Sequence, residues 1–140
     1  ATVVEPDDIF SQDVDIFSPC AMGGILNSQT IPQLRANIIA GAANNQLGQE
    51  KLHGQMLTDK GITYCPDYVI NAGGLINVYN EMIGYNEEKA FQQVNNIYDT
   101  LLEIFTRASE RGITTNDASK LIAEDRIMKA RKSSYQPIAA

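Results

Sequence analysis

Apolar and polar positions along this chain follow two rhythms. Up to about residue 83, short apolar runs of strand length alternate with helical stretches, whereas beyond Asn86 apolar residues recur about every 3.6 positions. In the first part, Thr2 to Val4 is a β-branched scrap ahead of Pro6, Asp7 and Asp8, and reads as the tail of a strand. Val14 to Phe17 is a near-continuous apolar run ending at Ser18-Pro19, as expected for a strand buried on both faces. A short helix is expected over Gly23 to Asn27, and Asn37 to Ala40 repeats the strand pattern. Glu50 to Lys60 predicts a helix capped by Gly61. Ile62 to Tyr64 and Tyr68 to Ile70 read as two more β segments, separated by Cys65-Pro66-Asp67. This alternation argues for an α/β architecture.

The second rhythm has clear ends. Asn86 can cap a helix, Glu87 and Glu88 suit its first turn, and Ala90, Val94, Ile97, Tyr98, Leu101, Ile104, Phe105 and Ala108 keep the helical period up to Gly112. Thr114 and Asp117 form a capping-box pattern for a second helix running to about Lys132, with Lys129, Arg131 and Lys132 complementing the dipole of its last turns. The final SSYQPIAA reads as a frayed tail.

Composition narrows the classes of function. The 140 residues, 44% hydrophobic and 20% charged, suit one soluble domain or a large piece of one. The formal net charge is -6 and no Lys or Arg precedes Arg35, which argues against nucleic acid as a partner. Cys20 and Cys65 have no CxxC spacing, so neither a zinc site nor a disulfide framework is expected, and reduced cytosolic thiols are the default. No apolar run approaches the roughly 20 residues of a membrane span, and the first residues lack the pattern of a signal peptide. A cytoplasmic location without a membrane partner is the expectation.

Three strand ends carry the candidate chemistry: SPCAMGG (18 to 24), AGAANNQ (40 to 46) and NAGGLINV (71 to 78). In an open parallel sheet, ligands bind beyond the carboxyl ends of the strands, where small residues expose backbone amides. Each loop alone could be a tight turn; three after successive strands suggest a shared cleft. The lone histidine, His53, lies on a short polar helix with no evident partner, and a structural or solvated role is expected for it.

The segments DIFSPCAMGGILN, TIPQL, IIAGAANNQL, PDYVINAGGLINV and the helix opened by GYN resemble the leucine, valine and phenylalanine dehydrogenases, with glutamate dehydrogenase more distant. The resemblance spans nearly the whole chain, with the motifs in order at matching spacings. It implies an amino-terminal domain that holds the amino acid and supplies a catalytic Lys and Asp, followed by a Rossmann domain that binds NAD. The chain matches the second, nicotinamide-side half of that Rossmann domain, a partial parallel sheet followed by long carboxy-terminal helices. The family's phosphate loop belongs to the first half, and no G-x-G-x-x-G spacing occurs here. Residues 1–140 are thus expected to be an incomplete NAD-binding domain, with a βα portion over 1–82, a helical portion over 86–132 and a tail over 133–140.

Carried over residue by residue, Cys20 and Ala21 resemble the wall beside the nicotinamide ribose. Asn44 matches the asparagine near the nicotinamide carboxamide, and Asn71, Gly73 and Gly74 match the strand end beside the reacting centre; Asn45 reads as a turn residue. Gly73 and Gly74 would allow close backbone approach or positive φ and begin the next helix. Leu75 and Val78, three apart on one helical face, resemble the apolar wall of the amino-acid pocket. Val78 leans toward aliphatic side chains, whereas Leu75 occurs in some phenylalanine enzymes. The resemblance implies reversible oxidative deamination of leucine or valine, or alternatively phenylalanine, by a homo-oligomer using NAD. No catalytic residue falls in this chain, which alone is expected to be inactive. The competing expectation is a non-catalytic docking module, dimerising through an unpaired sheet edge.

Overall fold

The computed structural model describes residues 1–134. Three short parallel strands, β1 (Ile16–Phe17), β2 (Ile38–Ile39) and β3 (Thr63–Tyr64), form a sheet in the order β1-β2-β3. Five α-helices follow or intervene: α1 (Glu50–Asp59), α2 (Asp67–Ile70), α3 (Gly73–Ile83), α4 (Glu87–Arg111) and α5 (Thr115–Ser134). The parallel sheet followed by long helices is the α/β arrangement expected.

Register explains the core. Phe17, Ile39 and Tyr64 lie in one row across the sheet and are buried, and with Leu26, Ile31, Leu57 and Ile62 they make the main apolar cluster. The other row, Ile16, Ile38 and Thr63, is exposed, with Ile16 54% accessible. The expectation of a strand buried on both faces is therefore corrected: β1 is covered on one face only, and Val14 is 43% exposed as well. A second cluster, Ile104, Ala108, Ala118 and Ile122, joins α4 to α5.

Other corrections follow from backbone partners. Thr2 to Val4 is not in a strand, and Pro6–Ser11 forms a 3-10 helix, with Pro set in its first turn. Gly23 to Asn27 is not helical, because its amides bond across to the next loop: Gly24 N–H donates to Asn45 O at 2.8 Å and Leu26 N–H to Gln46 O at 2.9 Å. Tyr68 to Ile70 belongs to a helix, since the Asp67 carboxylate accepts the Tyr68 N–H at 2.6 Å and the Val69 and Ile70 amides fold back onto Pro66 O. A three-residue apolar run carries no periodicity to separate the two states.

Helix α4 begins and ends, and α5 begins, as their caps predict. Asn86 accepts the Lys89 N–H at 2.9 Å, and Gly112 ends α4 with φ +61°. Thr114 Oγ1 accepts the Asp117 N–H at 3.1 Å and donates to the Asp117 carboxylate at 2.9 Å. Of the expected tail, Ser133 and Ser134 continue α5, and positions 135–140 lie outside the described residues. The helical part is tied to the sheet where α5 begins: Thr115 Oγ1 donates to Tyr64 O at 2.7 Å, Tyr68 pairs with Ser119, and Lys120 pairs with Glu50.

Candidate functional site

The loops after β1 and β2 are pressed together, and glycine makes this possible. A Cβ on Gly41 would lie 2.2 Å from Pro19 O, a distance no side chain tolerates. With Gly41 in place, the Ala43 N–H donates to Pro19 O at 2.9 Å. Cys20 then stands beside the Ala42 backbone amide, which, with the Ser18 hydroxyl 3.4 Å from Sγ, lowers the thiol's pKa below its usual value. Gly23 is close-fitting too, since a Cβ there would be 2.9 Å from Asn44 O.

Inside the second loop, Gln46 is fully buried and its Nε2 donates to Gly41 O at 2.8 Å and Ala43 O at 2.9 Å. The turn is closed by Asn45 with φ +53°, as its reading as a turn residue anticipates. Buried Asp67 accepts the Gln46 N–H at 2.9 Å. Beside it the Tyr64 phenol is pushed far above its usual pKa, by burial first and then by the Asp67 charge, and stays protonated.

Asn44 and Asn71, expected at one site from separate motifs, meet: Asn71 Nδ2 donates to Asn44 Oδ1 at 2.5 Å and to Ala42 O at 3.3 Å. Two carbonyl acceptors thus set the Asn71 amide, and its hydrogen bond engages the Asn44 carbonyl. The remaining polar ends of the pair are one donor, Asn44 Nδ2, and one acceptor, Asn71 Oδ1. A primary carboxamide offers the complementary acceptor and donor.

Cys20 and Asn44 lie in the loops after β1 and β2, and Asn71, which caps the end of α2 and does not end a strand as expected, is brought beside Asn44, with exposed Ala21 next to Cys20. Gly73 and Gly74 start α3 two residues after Asn71, as expected, but with helical backbone and not positive φ. A Cβ on either would meet nothing within 4 Å, so the space beside them is not filled by this chain. Leu75 and Val78 follow on the solvent side of α3, 75% and 52% exposed, and Met82 extends the same stripe. Asn80, on the opposite side, is fully buried and donates to Ile76 O at 2.8 Å and Gln93 Oε1 at 2.6 Å, which sets the rotation of α3 against α4.

A polar cavity of about 260 Å³ is lined by Asn44, Asn45, Glu50, Tyr64, Asp67 and Asn116 among others, and Asn71 is not part of its wall. A larger apolar groove of about 570 Å³, lined by Val69, Ile76, Ile97, Ile122 and Ile127 among others, includes none of the cofactor- or substrate-site residues expected from sequence. His53 is buried and has two partners, which corrects the reading that it had none. Its Nδ1 accepts the Gln49 N–H at 2.7 Å, so Nε2 carries the proton toward Ser28 Oγ at 3.1 Å. It holds the start of α1, a structural role. Among the described residues no group of three or more His, Cys, Asp and Glu side chains is placed to hold a metal, and no helix is long and apolar enough to cross a membrane.

The small residues after β2 suggested the close approach seen at Gly41, whereas the roles of Gln46 and Asp67 were not expected from sequence. Pro66-Asp67 carried a usable signal, an acidic residue after Pro at a helix start; the burial of Gln46 carried none.

Comparison with known proteins gives the context. Residues 1–134 match the Glutamate/Leucine/Phenylalanine/Valine dehydrogenase family. The chain is 74% identical over its full length to an L-tryptophan dehydrogenase of Nostoc punctiforme, covering 40% of that protein. It is 50% identical over 133 residues to a leucine dehydrogenase of Thermoactinomyces intermedius, covering 95% of this chain and 36% of that one. The crystal structure of L-tryptophan dehydrogenase from Nostoc punctiforme superimposes with a TM-score of 0.89 over 92% of this chain and 39% of that one. A Thermus thermophilus hetero-hexameric glutamate dehydrogenase, 20% identical, shares the fold with a TM-score of 0.74 over 96% of this chain and 34% of its own. The chain spans 40% of the length of the L-tryptophan dehydrogenase and 36% of that of the leucine dehydrogenase. It belongs to the Glutamate/Leucine/Phenylalanine/Valine dehydrogenase family.

Proposed function

We propose that residues 1–140 are the incomplete NAD-binding domain of an oxidoreductase that reversibly deaminates a large apolar L-amino acid to its 2-oxo acid and ammonia. The observation that carries this reading is the Asn44–Asn71 pair, whose remaining donor and acceptor complement a carboxamide such as that of nicotinamide. Cys20 and Ala21 would flank the ribose. Gly73 and Gly74 would leave room for the reacting centre, because a Cβ there meets nothing of this chain. NAD, when bound, supplies the hydride acceptor. The residues of this chain bind and orient; proton transfer falls to the Lys and carboxylate that the family places in its amino-terminal domain.

The exposed Leu75 and Val78 would form one wall of the side-chain pocket. Tryptophan is the favoured substrate, on the 74% identity to an L-tryptophan dehydrogenase. Leucine or valine is the second reading, on the aliphatic character of Leu75 and Val78 and the 50% identity to a leucine dehydrogenase. One methylene in such a pocket changes selectivity by only about 1 to 3 kcal/mol, so that wall tunes the choice. The working enzyme is proposed to be a cytoplasmic homo-oligomer.

The test is to exchange this chain for the matching 140 residues of the Nostoc punctiforme enzyme and assay NAD-dependent deamination. Turnover is expected, with tryptophan preferred over leucine, and Asn44→Ala should lower kcat/KM about tenfold or more by removing a hydrogen bond to the cofactor. The chain alone should show no turnover. A folded hybrid inactive with tryptophan, leucine, valine and phenylalanine would sink the reading and favour a docking role.

A further inference from the structure

Asp67 is bonded to both segments that carry the asparagine pair, at Gln46 in one and at Asn71 in the other, without belonging to the pair. Its Oδ2 accepts the Gln46 N–H at 2.9 Å, its Oδ1 accepts the Tyr68 N–H at 2.6 Å, and its backbone carbonyl accepts the Asn71 N–H at 2.9 Å. Gln46 in turn grips the loop from within, through Gly41 O and Ala43 O. The loop that carries Asn44 and the helical turn that ends at Asn71 are thus both referred to one residue, which is only 9% exposed. A buried carboxylate is costly unless it accepts hydrogen bonds, and the two backbone amides supply them.

We propose that Asp67 is a positioning residue that sets the Asn44–Asn71 donor–acceptor pair, by holding the Gln46 amide with its carboxylate and the Asn71 amide with its carbonyl. It does not touch the cofactor; it acts through the two asparagines. Loss of the carboxylate frees the Gln46 end of the loop, so Asn44 drifts from Asn71 and the pair no longer presents its donor and acceptor together. Asn71 keeps its backbone bond, so the effect falls on Asn44 first. The assignment of carboxamide binding rests on the reading under Proposed function; the assignment of positioning does not.

The experiment uses the isotope-labelled chain and magnetic resonance. In Asp67→Asn, hydrogen exchange at the Gln46 amide is expected to quicken about tenfold or more, the amide having lost a charged acceptor, while helix α1 keeps its protection. The side-chain amide signals of Asn44 and Asn71 should shift in the same variant, a change that general loosening elsewhere does not produce. With nicotinamide itself as the probe, the wild-type chain should show shifts at these two side chains, nicotinic acid should not reproduce them, and Asp67→Asn should weaken the nicotinamide response at least about fivefold. Faster exchange at Gln46 with unmoved Asn44 and Asn71 signals overturns the proposal. Absence of any nicotinamide response in the wild type sinks the carboxamide reading alone, and the side-chain signals still decide the role of Asp67.

A second variant covers the case in which Asp67→Asn does not fold. Asp67→Glu keeps an acceptor for the Gln46 amide but displaces it, so exchange at Gln46 is expected to quicken and the Asn44 and Asn71 side-chain amide signals to shift together. A change at Gln46 with the asparagine side chains unmoved overturns the proposal.

Discussion

Gly41, just after β2, and the Gly73-Gly74 pair, which opens α3, look alike in sequence, each beside an Ala and near an Asn. Their surroundings are opposite. A Cβ on Gly41 would fall 2.2 Å from Pro19 O, whereas one on Gly73 or Gly74 would meet nothing within 4 Å. At Gly41 the chain itself uses the space that the missing side chain leaves, to bring two loops into contact. At Gly73 and Gly74 the space remains, next to Asn71 and ahead of an exposed apolar stripe. Small residues near the ends of elements can thus serve the fold or leave room for a ligand, and only the neighbours tell which.

The comparison can be broken by substitution. Gly41→Ala should be the most damaging, costing about 3 kcal/mol or more because the clash is with backbone that cannot swing away, as read from denaturant unfolding. Gly23→Ala should cost less, about 1 to 2 kcal/mol, since its Cβ would lie 2.9 Å from Asn44 O and the loop can yield a little. Gly74→Ala, in the first turn of α3, should leave stability unchanged or raise it by up to about 1 kcal/mol. In the hybrid enzyme the same change should lower turnover about tenfold, by filling space the reactants need. A marked loss of stability in Gly74→Ala, or wild-type stability in Gly41→Ala, would erase the distinction.

The smallest effect concerns the thiols. Cys20 is exposed and held below the usual thiol pKa, by the Ala42 N–H first and by the Ser18 hydroxyl, while burial raises Cys65. Its thiolate therefore forms at lower pH, and alkylation should label Cys20 first, with a rate midpoint below that of an ordinary thiol. Nicotinamide should slow that labelling if the open side of the site is where it binds. Equal rates at both cysteines would remove this sharpening of the comparison.

The helical half was legible in detail because its signals are local. Asn86, Gly112, and the Thr114 and Asp117 pattern act within one turn of the backbone they cap, and the period of α4 survives in any surroundings that bury one face. The strand half was legible in order but not in extent. Val14 to Phe17 reads as buried on both faces, yet burial of the second face depends on whatever covers it, and in this chain Ile16 and Ile38 face outward. Asn44 and Asn71 could each be named from a motif resemblance, and Asp67 could not, since its role appears only when Gln46 is brought to it from 21 positions away.

By itself, then, the sequence determined the α/β alternation, both ends of α4 and the start of α5, the family resemblance and the loops after β1 and β2 on which part of the site stands, because propensity, capping and motif order are properties of neighbouring residues. Tertiary structure alone decided that Tyr68 to Ile70 coil into a helix, that His53 is a buried strut, and that Gly41 is filled while Gly73 and Gly74 are not. Those outcomes depend on hydrogen-bond partners and excluded volume contributed by distant segments, and no local pattern encodes them.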